Sequence, residues 1–148
     1  MKQMTDESTE ANSKLETLRG RIKSALQGSL EEQWDEVLGE WRGASPPDRA
    51  DVRTQVAALR DRILDGLLAI ESFEELKRGL AIGYIEMKCR WTMLNTQIQQ
   101  QTAQEGRPDE PLIYRATCVS LIVQALEPLL SREYVENVAN LLADPLSV

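Results

Sequence analysis

Apolar residues recur at alternating steps of three and four over nearly the whole chain, from Leu15 to Leu142. No run alternates with the two-residue period of a strand, so the pattern predicts helices throughout. Leu15, Leu18, Ile22 and Ala25 form a narrow seam on a first helix from about Thr5 to Gln27, with Gly28 as its left-handed stop. Ser29 and Glu32 read as a capping box that starts a second helix at once. Leu30, Trp34, Val37, Leu38 and Trp41 share one face of it, Glu31, Glu32, Asp35, Glu36 and Glu40 cover the other, and Gly43 ends it. Ser45 followed by Pro46 reads as an N-cap with a proline in the first turn. Val52, Val56, Leu59, Ile63, Leu67 and Ile70 then carry a third helix to about Ile70.

Ser72 and Glu75 make a second predicted capping box, followed by a fourth seam of Leu76, Leu80, Tyr84, Met87, Trp91, Leu94 and Ile98. The substantial loop lies between Thr102 and Pro111, with Asp109 as the cap of a fifth helix. That helix is apolar nearly all round (Leu112, Ile113, Tyr114, Cys118, Val119, Leu121, Ile122, Val123, Leu126), so it must be surrounded. Pro128 ends or kinks it. Ser131 caps a short last helix that Asp144-Pro145 closes. The fold class is all-α: a bundle of five to six helices in one domain over 1–148, with a long antiparallel helical hairpin at 45–105. Residues 1–43 read as an N-terminal helical hairpin, and 109–144 as a buried helix followed by a short one.

The chain length suits one core without disulfides or a metal. A net charge of −7 changes the picture more, because it removes the general field that draws nucleic acid or anionic membranes. Met1 to Asn12 is polar and acidic, unlike a signal peptide. The most apolar stretch, Leu112–Leu130, carries Arg115, Gln124, Glu127 and Pro128, which fits a core helix better than a membrane span. The expected location is cytoplasmic, with Cys89 and Cys118 as free thiols.

There is no histidine, which removes the Glu-x-x-His di-iron sites of helical bundles and the usual base for a serine or cysteine nucleophile. Two cysteines 29 residues apart make no zinc site. Asp48 with Asp51 reads as first-turn acids that complement a helix dipole, and Asp61 and Asp65, interleaved with Arg60 and Arg62, as paired surface charges. Gly79 and Gly83, four apart, suit close approach of another helix. No catalytic residue, cofactor or metal is expected.

Leu59-Arg60-Asp61-Arg62-Ile63-Leu64-Asp65 resembles the opening of the chorismate mutase bundle, which implies a small helical enzyme binding a dicarboxylate. Lys77 and Lys88 stand where that family needs a lysine, but its downstream Arg-Glu pair has no counterpart nearer than Arg132-Glu133. Lys14, Arg19, Arg21 and Lys23 on helix 1, with Lys77, Arg78, Lys88 and Arg90 on helix 4, admit a DNA-linked regulatory protein. A helix-turn-helix over Phe73–Trp91 would need a phase break that the seam lacks. The segment Ile63–Ile85, through Ser72-Phe73-Glu74-Glu75 and Gly83, resembles the helix–turn–helix of small helical tailed-phage structural and assembly proteins. That resemblance implies an assembly or virion component without catalytic residues.

The leading expectation is a non-enzymatic protein that works by protein–protein association, with a protein partner or with itself as a homo-oligomer. The expected contact is the apolar edge of helix 2 and its flanking acids: Trp34, Trp41, Val37 and Leu38 with Glu31 and Asp35. The DNA-linked reading is the alternative, and a mutase-type enzyme the third.

Overall fold

Ile22 and Leu26 from the first seam, Leu30 and Trp34 from the second, Val56 from the third, Leu76, Leu80 and Met87 from the fourth, and Val119, Ile122 and Leu126 from the fifth are withdrawn from water into one core. The computed structural model describes residues 2–143. These form six α-helices: α1 (Lys2–Leu26), α2 (Ser29–Gly39), α3 (Pro46–Leu68), α4 (Phe73–Glu105), α5 (Glu110–Leu126) and α6 (Arg132–Ala143), with one 3-10 turn at Glu127–Leu129. The chain is an all-α bundle, and no strand occurs among the described residues.

The position of α5 follows from its composition. Its apolar faces need cover, and α1, α2, α3 and α4 pack against them, while Glu110, Thr117 and Gln124 form an exposed polar stripe. Glu110–Leu129 is also the one stretch among the described residues long and apolar enough to cross a membrane. The expected hairpin of α3 with α4 is present: Leu67 and Ile70 lie over Gly79, Ile63 lies over Gly83, and Arg62 reaches Glu86. An added Cβ at Gly79 would stand 2.9 Å from the Cδ1 of Ile70, so the missing side chain is what lets α3 approach there. A second antiparallel pairing, α4 with α5, is more extensive than that hairpin. Pro128 does not kink α5 but turns it into the 3-10 segment, after which α6 folds back along α4.

Several helix ends differ from the sequence expectation. The Ser29–Glu32 capping box is absent: Gly28, with φ 60°, takes the N-cap position and Ser29 already lies in the first turn. A link of two residues between α1 and α2 leaves no room for Ser29 to stand outside the helix. Helix α2 ends at Gly39, not Gly43, so Trp41 belongs to the connection after it; Gly43, with φ 85°, serves that turn. Ser45 is the N-cap of α3 and forms a full box with Asp48. Ser72 accepts the Glu75 amide, which is half of the predicted box. Asp109 stands at the N-cap of α5 without a side-chain cap bond, Pro111 lying in the first turn. Ser131 accepts the Tyr134 amide, as expected of a cap for α6. Gly106, left-handed at φ 77°, stops α4 after the glutamine tract. The Asp144-Pro145 stop lies outside the described residues.

Ile63 and Leu80 belong to the same buried cluster, on facing helices. Replacing either with alanine is expected to cost about 2–5 kcal/mol, the usual range for an aliphatic core truncation. Urea denaturation of I63A and L80A checks this. Losses below about 0.5 kcal/mol at both sites would mean that the α3–α4 contact is not part of the core.

Candidate functional site

The expected docking edge of α2 is turned inward. Trp34 is fully buried, and its indole Nε1 donates to the backbone carbonyl of Cys118 in the middle of α5, at 3.1 Å. The guanidinium carbons of Arg53 and Arg60, two turns apart on α3, stand 5.0 and 5.2 Å from the Trp34 ring centroid. Trp41 is also buried, stacked on Tyr114 at 4.9 Å and donating from Nε1 to Glu110 at 3.0 Å. Leu38 is buried and Val37 half-buried against the same core. Glu31 accepts from Arg60 at 2.8 Å and Asp35 from Arg53 at 2.9 Å. The two acids are at the surface, but each is held by an arginine of α3. Periodicity marks a face as apolar and leaves open whose core it enters; here α5 claims it, and Trp34, Trp41 and Leu38 are buried within the chain's own core.

Three arginines bind helix ends from across the fold. Arg60 donates to the Leu26 carbonyl at the end of α1 at 2.6 Å, Arg49 to the Trp41 carbonyl after α2 at 2.6 Å, and Arg19 to the Ile70 carbonyl after α3. Carbonyls at a helix end lack internal donors and carry the negative end of the dipole, so a cation there satisfies both needs. Arg60 is the most enclosed of the three. Burial disfavours its charge, but hydrogen bonds to Glu31 and Asp61 outweigh that and hold its pKa above the ordinary value. With its donors on Leu26, Glu31 and Asp61, Arg60 is not free for a substrate carboxylate. Asp48 is engaged in the α3 cap, and Asp51 accepts from Gln55. Phe73–Trp91 is one continuous helix without a turn.

The open apolar surface lies elsewhere. Between α3, α4 and α5 a groove of about 460 Å3 is lined by Leu59, Met93, Leu94 and Val119, with Glu86, Cys89, Arg90, Gln97 and Arg115 around it. Met93 is 63% exposed at its edge, with Leu141 of α6 the most water-accessible large apolar side chain among the described residues. Arg90 and Arg115 are half-buried, and the Nε of each is shielded from water without a hydrogen-bond partner. Arg90 lies 3.6 Å from Glu86, whose carboxylate is already bound at 2.6 Å by Arg62; Arg115 makes no ion pair among the described residues. The groove therefore presents an apolar floor and an under-neutralised positive rim on an otherwise acidic chain.

Two signals for this groove stand in the sequence: Arg115 interrupts an apolar helix, and Met93 falls off the α4 seam. Neither shows that the two meet. Cys89 is exposed on the groove, and Cys118 is buried behind Trp34. Loss of hydration pushes the Cys118 thiol up to about 11 from 9.0, against an opposing pull from Arg53. No family model, no curated protein and no solved structure matches the chain.

Two outcomes follow from this geometry. R60M is expected to destabilise the fold by about 2 kcal/mol, because it removes charge-assisted hydrogen bonds and uncaps α1. R62M, which breaks an exposed pair, is expected to cost less than about 0.5 kcal/mol. Equal effects in chemical denaturation would contradict the capping role. Cys118 makes stability depend on alkaline pH. Above pH 9.0 the unfolded thiol loses a proton that the folded one keeps until about 11. Stability is thus full below that window and falls through it by about 1.4 kcal/mol per pH unit. C118A should show a shallower decline between those limits; parallel curves for the two proteins would show that the thiol is not desolvated.

Proposed function

We propose that this is a non-enzymatic helical protein that acts by protein–protein association, as a subunit or accessory factor of a larger assembly, and that the groove between α3, α4 and α5 is its contact surface. The observation that carries the reading is the pairing of an exposed apolar Met93 with Arg115, which has no ion pair among the described residues, and Arg90, whose carboxylate neighbour Glu86 is already bound by Arg62. Under-neutralised guanidinium groups beside an exposed apolar side chain are what a carboxylate-bearing partner surface complements. The matching element is an amphipathic segment that lays apolar side chains on Leu59, Leu94 and Val119 and brings a carboxylate to Arg115.

The chain itself carries such an element. Acidic residues number 24 against 17 basic, and α6 exposes Leu141 and Leu142 near its end and carries Glu133 and Glu136 toward its start. Self-association is therefore the first form of the proposal. A groove on one copy receiving α6 of the next is a heterologous contact, which closes into a ring or runs on as a filament. Both suit an assembly component, in the cytoplasm or in a virion as the phage resemblance implies. The DNA-linked alternative has lost the turn it needed in α4, and the mutase alternative has its Arg60 committed to helix ends and acids.

Light scattering over a concentration series tests this. The wild-type chain should grow in mass with concentration. M93D and R115E should shift that growth to at least about tenfold higher concentration, the effect of losing one desolvated anchor or reversing one charge. Their melting temperatures should stay near wild type, since neither residue is in the core. A wild-type chain that stays monomeric, and whose co-purifying proteins are retained equally by both variants, would sink the groove as an interface.

A further inference from the structure

Lys14 and Arg21 stand seven residues apart on α1, two turns, with Thr17 between them on the same face. Packing α1 against the start of α4 brings Lys77 to the same place. The three cations line one pocket of about 280 Å3, together with the hydroxyl residues Ser13 and Thr17 and the apolar Leu18, Phe73 and Leu129. None of the three is within ion-pair distance of a carboxylate among the described residues. Glu10 and Glu74 share the neighbouring hollow with Lys14 but stay beyond that distance. Lys77 lies 4.4 Å from the Tyr134 ring centroid, a contact that steadies its ammonium without neutralising it.

This arrangement runs against the chain's electrostatics. Carboxylates outnumber cations, so pairing partners were plentiful, yet three positive groups line one pocket with no carboxylate at ion-pair distance among the described residues. Like charges so placed repel, and an anion among them turns that repulsion into attraction. Ammonium, guanidinium and hydroxyl donors around one point are the set that holds a phosphate group. The cations line one pocket of small-molecule size, which suits a terminal phosphate better than the long regular backbone of a nucleic acid. Leu18, Phe73 and Leu129 add an apolar wall for the organic part, and the volume is that of a small molecule.

We propose that this pocket binds a small organic phosphate. Its phosphate sits among Lys14, Arg21 and Lys77, and its organic body rests on Leu18, Phe73 and Leu129. The site shares no residue with the α3–α4–α5 groove, so it stands or falls separately from the association reading.

Phenyl phosphate is the probe, titrated calorimetrically into the full chain, with R21Q and K77Q as site variants and K23Q as a control on an exposed face of α1. Saturable binding is expected, weakened about tenfold or more in R21Q and in K77Q and unchanged in K23Q, as loss of one charge-assisted bond implies. Vesicles containing phosphatidic acid and a short single-stranded oligonucleotide form the other arms. Phenyl phosphate binding that R21Q weakens supports the pocket; vesicle binding in addition assigns the same headgroup chemistry to a lipid source, and its absence assigns a soluble one. No binding of phenyl phosphate at millimolar concentration, equal affinity in R21Q, or binding of the oligonucleotide or vesicles alone would overturn the proposal.

Discussion

Helix α5 has only a narrow polar stripe, Glu110, Thr117 and Gln124, and the other helices are placed by the need to keep water from the rest of it. Cys118, Val119, Ile122 and Leu126 are fully enclosed, which takes cover from more than one direction. Helix α4 supplies one side along an antiparallel pairing, and α1, α2 and α3 close the rest. The side toward α2 is fixed by a single large residue. Trp34 fills the space between α2, α3 and α5 and donates to a carbonyl within the α5 ladder. An indole in that position brings a large apolar area and one directional bond, so it sets the distance and the rotation of α2 together. Arg53 and Arg60 then stack on the ring and anchor their outer ends on Asp35 and Glu31.

The charged residues do more for the helix ends than for the helix faces. No basic side chain lies in the last turn of α2, α3, α4, α5 or α6, so the dipole ends have no local cation. Arg49 and Arg19 supply it through space just beyond the ends of α2 and α3, and Arg60 adds a second cation at the end of α1, whose last turn already holds Lys23. Each bond joins a helix to the tight connection after a different helix, and so ties the links between elements to the packed body. Such contacts are modest one by one, about 1.5–3 kcal/mol for a charge-assisted bond, but each also relieves a carbonyl that would otherwise face the interior unpaired. The exposed pairs, such as Arg132 with Glu136, contribute far less.

The helices were legible in the sequence because their signal is local. Steps of three and four mark Ile63 and Leu80 as core positions, and both lie in one buried cluster; Ser45, Ser72 and Ser131 stand at the starts that they were read to cap. What depended on spacing between elements was not legible. The sequence reads Ser29 as a cap, and Gly28 displaces it because α1 and α2 meet too closely. Helix α2 reads as a docking edge, yet the same apolar face serves a core, and only the position of α5 decides between them. The capping arginines are invisible for the same reason: Arg60 lies thirty-four residues from the carbonyl it binds, and nothing in its neighbourhood on the chain announces the contact. Arg115 was visible as an interruption of α5, but its meeting with Arg90 and Met93 depends on the register of α4 against α5.

The groove lies where α3 passes from one neighbour to another. The C-terminal half of that helix lies on α4, with Ile63 over Gly83 and Ile70 over Gly79. Its N-terminal half lies on α2, with Arg53 and Arg60 at Trp34 and Arg53 bound to Asp35. Between these stretches, beside Leu59, a groove is left open among α3, α4 and α5. The small residues Gly79 and Gly83 tighten one end of the α3–α4 contact, while Arg90 and Met93 line the groove from α4. Closing the groove within one chain would take large apolar side chains at those positions. The chain instead places there two arginines and a methionine, residues that tolerate partial solvation and repack easily against a variable surface. The fold is thus complete around α5 yet open beside it, and the opening carries the side chains suited to meeting another molecule.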